Sequence, residues 1–64
     1  MDQYQQRVIT EKQELDGKTE RLKAFIESAE FKTLSLEEQC LLSSQSECMA
    51  EYSRILGERI ALWQ

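Results

Sequence analysis

Three side chains in this sequence could hold a small anion or stack on a base, and one of them, Lys18, stands where a plain helical hairpin would prefer leucine. Lys18 falls on the stripe Tyr4, Glu11, Lys18 and Phe25, which runs beside Val8, Leu15 and Leu22 at a spacing of seven. Arg59 follows Tyr52 by the same spacing and stands two positions beyond Gly57. Both glycines, Gly17 and Gly57, therefore lie within two residues of a cation beside an apolar face. Glycine lets a ligand or a second backbone approach closely, and a neighbouring ammonium or guanidinium pairs with phosphate. Tyr4, at the start of the first apolar stripe, supplies a ring on which a base can stack.

Each of these residues also has a structural reading, and the sequence leaves both open. Lys18 can snorkel, its stem covering Leu15 and Leu22 while Glu14 neutralises its head. Gly57 suits a close helix–helix crossing as well as a ligand contact. Tyr4 suits the edge of a core, and Arg59 near a helix C-terminus is favoured by the helix dipole whatever else it does.

Catalysis has little to stand on. The chain contains no histidine, so a Ser-His or Cys-His nucleophile pair cannot be built, and no glycine-rich phosphate loop is present. Glu37-Glu38 and the Glu47/Glu51 pair read as solvated helix surface. A structural zinc site wants paired Cys or His ligands, and Cys40 and Cys48 alone do not supply one. We therefore expect no metal, no cofactor and no enzymatic activity.

The elements that must position these groups are two helices. From about Asp2 to Ser28, Val8, Leu15 and Leu22 recur with Tyr4, Phe25 and Ile26 on one face at helical spacing. Arg7 with Glu11, Lys12 with Asp16 and Glu14 with Lys18 place opposite charges four apart, which supports a helix. Gly17 after Asp16 is a weak point where the helix has room to bend, since glycine costs a helix interior about 1 kcal/mol relative to alanine. Residues 28–34 form a connector, with Phe31 packed beneath it. A second helix starts at "SLEE", where Ser35 and Glu38 have the capping-box arrangement, and runs to about Leu62. Two helices with a brief connector pack antiparallel, giving an all-α hairpin as a single domain over residues 1–64.

The second helix carries more apolar surface than a hairpin needs. Leu41, Cys48, Tyr52, Ile55 and Leu62 make one stripe; Leu42, Met49, Leu56, Ile60 and Trp63 make another. A hairpin buries one of them, and the other asks for a second copy of the chain or another partner. Chain length points the same way. A domain of 64 residues is marginal by itself and needs disulfides, metal, self-association or unusually good packing. Cys40 and Cys48, eight residues apart on one helix, are about 12 Å apart and out of reach of a disulfide. Reduced, buried thiols are expected, in keeping with a cytoplasmic protein. Self-association is the favoured route.

The net charge of −4 argues against general DNA binding, which needs a basic stripe, but leaves room for a local anion pocket. The sequence has no apolar run long enough to span a membrane, and "MDQYQQRV" lacks the form of a signal peptide. We expect no membrane partner.

Over residues 4 to 63 the chain resembles the phage anti-CBASS proteins that sequester cyclic oligonucleotide signals. The resemblance rests on the joint occurrence of Tyr4-x-x-Arg7-Val8, the helix from Leu15 to Ile26 and the block from Tyr52 to Ile60. It implies small helical subunits assembled into a hexamer in the host cytoplasm, binding cyclic nucleotides without hydrolysing them. Members hold cyclic dinucleotides between two protomers, and some hold cyclic trinucleotides in separate pockets. By the same resemblance the dinucleotide pocket's aromatic and lysine match Tyr4 and Lys18, and an arginine of the trinucleotide pocket matches Arg59. Arg7, in the first motif, counts as a fourth ligand-binding residue. Spacing adds a constraint: Tyr4 and Lys18 are about 21 Å apart on one helix, so a ligand touching both takes them from different chains. The competing reading is a protein-interaction module that docks its spare apolar stripe on a host protein. A helical virion component has no specific support.

Overall fold

The computed structural model describes residues 2–63. A first helix, α1 (Gln3–Ile26), leads through a 3₁₀ turn (Ala29–Thr33) into α2 (Leu36–Ala61), and the two long helices pack on each other. The molecule is a rod, 46 Å long and 14 Å across in each other direction. The expected all-α hairpin is what forms.

Each boundary has a local cause. Asp2 caps α1: its carboxylate accepts from the Gln5 backbone N–H at 2.8 Å, and the Gln5 side chain reaches back to the Asp2 N–H at 3.4 Å. This capping box satisfies donors that a helix start leaves free. At α2 only half of the expected box is made: Ser35 Oγ accepts from the Glu38 N–H at 3.1 Å. The acidic first turn, Glu37 and Glu38, still complements the helix dipole. The connector is anchored where expected, with the rings of Phe25 and Phe31 meeting edge to face at 6.2 Å. The backbone remains helical through Gly17, and α1 ends at Ile26, short of Ser28.

The seam is narrow. Val8 and Leu56 are its buried apolar residues, and Leu56 is 1% exposed. Half-buried Leu15, Leu22 and Ile26 on α1 are matched by half-buried Leu42, Met49 and Ile60 on α2 and by Trp63 just beyond its end. Of the two stripes on α2, the hairpin therefore buries the one containing Leu56. The other stays open: Leu41 is 66% exposed, Tyr52 and Ile55 44% each, and Leu62 84%. Cys48 lies on that open stripe, and Cys40 is exposed as well, so the expected burial of the thiols is not found; both are free.

Lys18 is also displaced from its expected place. The partner helix packs toward the shoulder of the α1 stripe that carries Lys12, Asp16 and Thr19, leaving Lys18 on the opposite, exposed shoulder. Thr19 is buried and satisfies its hydroxyl by donating to the Leu15 carbonyl at 2.8 Å. Among the three charge pairs expected on α1, Lys12–Asp16 closes to 2.8 Å, while Arg7–Glu11 and Glu14–Lys18 form no ion pair.

Candidate ligand-binding surface

Polar side chains cross the seam at one level. Lys12 Nζ donates to Asp16 Oδ2 at 2.8 Å and to Ser53 Oγ at 3.1 Å, and the Ser53 hydroxyl donates to the other oxygen of Asp16. Gly57 makes room for this, since a Cβ there would come 3.2 Å from Lys12 Cε. The close approach expected at Gly57 is thus made by a lysine stem. Chiefly through the Lys12 hydrogen bond, and next through Ser53, the Asp16 carboxyl is held below its ordinary pKa. A directional network of this kind, joined to an apolar seam, fixes how far the helices slide past each other. That register decides which residues of the two helices become neighbours.

At the open end of the hairpin, the register brings the first turn of α1 against the last turn of α2. Arg59 Nη2 donates to the Tyr4 hydroxyl, and the guanidinium carbon lies 5.8 Å from the Tyr4 ring centroid. Trp63 packs against the same ring with centroids 6.1 Å apart and planes at 60°. Tyr4 remains 55% exposed. An aromatic face, a guanidinium and an indole are gathered where solvent reaches them. This is a grouping suited to a base and an anionic group.

Along the flank of α1, a groove of about 500 Å³ is lined by Gln6, Arg7, Glu11, Glu14, Leu15, Lys18 and Tyr52, among others. Its size falls within the range of small-molecule sites, about 300–1,000 Å³. Two cations and two carboxylates line it, so one chain supplies little net positive charge there. Tyr52 belongs to the open apolar stripe of α2, which makes that stripe and the groove one continuous surface.

The four residues singled out in the sequence therefore fall into two pairs within a chain. Arg7 and Lys18 share the flank groove, and Tyr4 and Arg59 share the open end. The sequence reading did not assign Tyr52 or Trp63 to either place. Tyr52 was legible only as surplus apolar surface, and Trp63 only as the end of the buried stripe. Elsewhere, Arg54 is clamped by Glu51 at 2.5 Å and by Glu58 on the solvent side of α2; its hydrogen bond with Glu51 raises the Arg54 pKa and lowers that of Glu51. Among the described residues, no helix is long and apolar enough to cross a membrane.

Comparison with known proteins gives this surface a context. The family model described as Sequestin matches residues 2–62, nearly the full chain. An uncharacterized 7.5 kDa protein from the denB-rIIB intergenic region of Enterobacteria phage T4 is 47% identical over 58 residues, covering 91% of both chains. No solved structure gives a significant match.

Proposed function

The chain belongs to the Sequestin family, and from that premise we propose that it is a phage-encoded sponge for cyclic oligonucleotides. It binds cyclic di- and trinucleotide messengers, leaves them intact, and so withholds them from CBASS-type antiphage signalling in the host cytoplasm. The observation that carries this reading is the flank groove, where exposed Arg7 and Lys18 stand beside Tyr52 of an uncovered apolar stripe. A cyclic dinucleotide presents two phosphates and two flat bases, and that surface offers cations next to a greasy wall.

One chain does not complete the site. Glu11 and Glu14 offset the charge of Arg7 and Lys18, so a dianion needs further donors. Tyr4 lies about 21 Å along α1 from Lys18 and stacks on the same ligand only from a second protomer. Covering the open stripe with another copy would bring such groups in while burying Ile55, Leu41 and Leu62. The assembly in this reading is a homohexamer. Arg59 serves a cyclic trinucleotide at the open end. No step of this function requires bond cleavage, so affinity and lifetime of the complex are what the protein supplies.

The test is calorimetry against cyclic di- and trinucleotides of adenine and guanine, followed by heat denaturation and chromatography of the released nucleotide. Binding with full recovery of intact ligand is expected. Absence of heat with every member of the panel, or recovery of linear products, would refute sequestration. The same open stripe also favours a second reading, a module that docks on a host protein helix. That reading requires a monomer or dimer in solution and no nucleotide affinity.

A further inference from the structure

The four charges of the flank groove stand in one line on α1. On a helix, positions 7, 11, 14 and 18 fall within about 60° of one another, and all four side chains are exposed. Their order is cation, carboxylate, carboxylate, cation: Arg7, Glu11, Glu14 and Lys18. Each carboxylate lies about 6 Å along the axis from the nearer cation. Among the described residues, neither cation is taken up in an ion pair, so a ligand meets both signs. We propose that Glu11 and Glu14 set the selectivity of this groove, admitting phosphodiesters and turning away the more highly charged phosphomonoesters and nucleoside triphosphates. The inference rests on the function proposed above.

Two energies grow differently with the charge of a ligand. Attraction to the groove rises in proportion to the charge on a phosphate. The cost of taking that phosphate out of water rises roughly with the square of the charge. A groove holding Arg7 and Lys18 alone would be strongly positive, and it would attract linear nucleotides as well as cyclic ones. With both carboxylates in place, these four charges sum to zero, and the chain as a whole carries −4. Attraction is then confined to direct hydrogen bonds from the guanidinium and the ammonium. A diester brings about one negative charge, which a single cation satisfies. A terminal monoester brings about 1.5 to 2 at neutral pH, and the excess faces the neighbouring carboxylate. Selectivity of this kind comes from penalising the wrong ligand.

The surroundings of the two carboxylates favour a role in binding over one in folding. Both are exposed, and neither closes an ion pair among the described residues. Asp16, on the other shoulder of α1, is by contrast tied to Lys12 and Ser53. Leu15 and Tyr52 also line the groove, but they offer the same apolar wall to the bases of cyclic and linear nucleotides. An extra unit of charge about 6 Å from one carboxylate and about 10 Å from the other corresponds to roughly three- to tenfold in affinity.

The experiment is calorimetry of the assembled protein with the tightest-binding cyclic dinucleotide of the panel and with its own ring-opened form. That linear dinucleotide keeps the bases, the sugars and one diester, and its terminal phosphate adds about one charge at neutral pH. The unmodified protein is compared with the double variant Glu11→Gln/Glu14→Gln, whose amides keep the size of the side chains. We expect the linear form to bind more weakly than the cyclic form in the unmodified protein. In the variant both should tighten, the linear form by about three- to tenfold more. Raised salt should shrink this difference between the two proteins, because exposed charges are screened. Glu11→Gln and Glu14→Gln singly should each give part of the change, and they carry the test if the double variant does not assemble. A cyclic-to-linear ratio that is equal in unmodified protein and variants overturns the inference and leaves the sponge reading standing. A linear form that binds the unmodified protein as tightly as the cyclic form has the same consequence, as does a difference that salt does not reduce. Failure of the unmodified protein to bind any cyclic nucleotide overturns both.

Discussion

The stem of Lys12 lies against Gly57, so close that a Cβ on the glycine would come 3.2 Å from Lys12 Cε. The lysine head beyond it is held by Asp16 and Ser53, which leaves the stem little freedom to retreat. The two glycines of this chain consequently differ. At Gly17 a Cβ would meet only the tip of Arg21, at 3.5 Å, an ordinary contact with a flexible and exposed side chain. Neither glycine has positive φ, so alanine fits the backbone at both. Gly17→Ala should stabilise the protein by roughly 0.5–1 kcal/mol through helix propensity. Gly57→Ala should gain clearly less, because the Lys12 network must shift. Urea unfolding of both variants at one protein concentration checks this, and an equal gain at the two sites would show that the Lys12 crossing does not constrain Gly57.

The same network makes stability depend on pH in one direction. Asp16 accepts from Lys12 and Ser53 as a carboxylate, and its pKa is lowered in the fold, first by the Lys12 bond. The unfolded chain therefore takes up this proton at higher pH than the folded chain does. The stabilisation is fully present above the ordinary aspartate range, about pH 4, and is lost as the pH falls through the lower folded value. Asp16→Asn removes this titration. The stability difference between unmodified protein and Asp16→Asn should be constant from pH 7 to pH 5 and shrink between pH 4 and pH 2. A difference that stays flat across the acid range would mean that Asp16 titrates alike in both states.

Much of this fold was legible in the sequence, and what escaped was the rotation of one helix against the other. Heptad-spaced Val8, Leu15 and Leu22 identify α1, and Ser35 before Glu38 marks the start of α2. The two stripes of α2 correctly foretell that one would be left uncovered. Periodicity, however, leaves the shoulder that packs undecided. Lys12 and Lys18 flank the same α1 stripe, and the Lys12 side packs, where the polar network with Ser53 closes and Thr19 is buried. The pairing of Tyr4 with Arg59 was within reach: folding the chain about Phe31 sends residue 4 to about residue 58. The groove could not be found that way, because it takes Tyr52 from the outward stripe and Arg7 and Lys18 from the flank of α1.

The open stripe carries its own prediction. Ile55 is 44% exposed in the single chain and central among Tyr52, Leu62 and Cys48. A second copy of the chain seated there would bury it, and a glutamate at that point would be stranded without a partner, which is strongly unfavourable. Ile55→Glu should keep the helical circular dichroism of the hairpin, since Leu56 and the seam are untouched. If the proposed hexamer of 7.5 kDa chains forms, the unmodified protein scatters light as a species of about 45 kDa, and Ile55→Glu should give a smaller one. An unchanged mass would place the subunit interface elsewhere on the rod.

Lys18 separates binding from folding more cleanly than any other residue of the surface. It is exposed, forms no ion pair with Glu14, and lies on the shoulder of α1 away from the packed helix. Truncation removes a charge from the flank groove and little else. A charge-assisted hydrogen bond to phosphate is about 1.5–3 kcal/mol, so Lys18→Ala should weaken cyclic dinucleotide binding by roughly 10- to 100-fold. Its unfolding midpoint should change little, because exposed substitutions away from packing and caps usually lie within about 0.5 kcal/mol. Arg7→Ala should weaken the same ligand, since the two cations line one groove. A cyclic trinucleotide, which the proposed function assigns to Arg59 at the open end, should be less affected by either change. Parallel calorimetry of the two variants against both ligand classes decides the matter. Equal losses for both classes would merge the two positions into one site, and a fall in stability with affinity preserved would return Lys18 to a structural role.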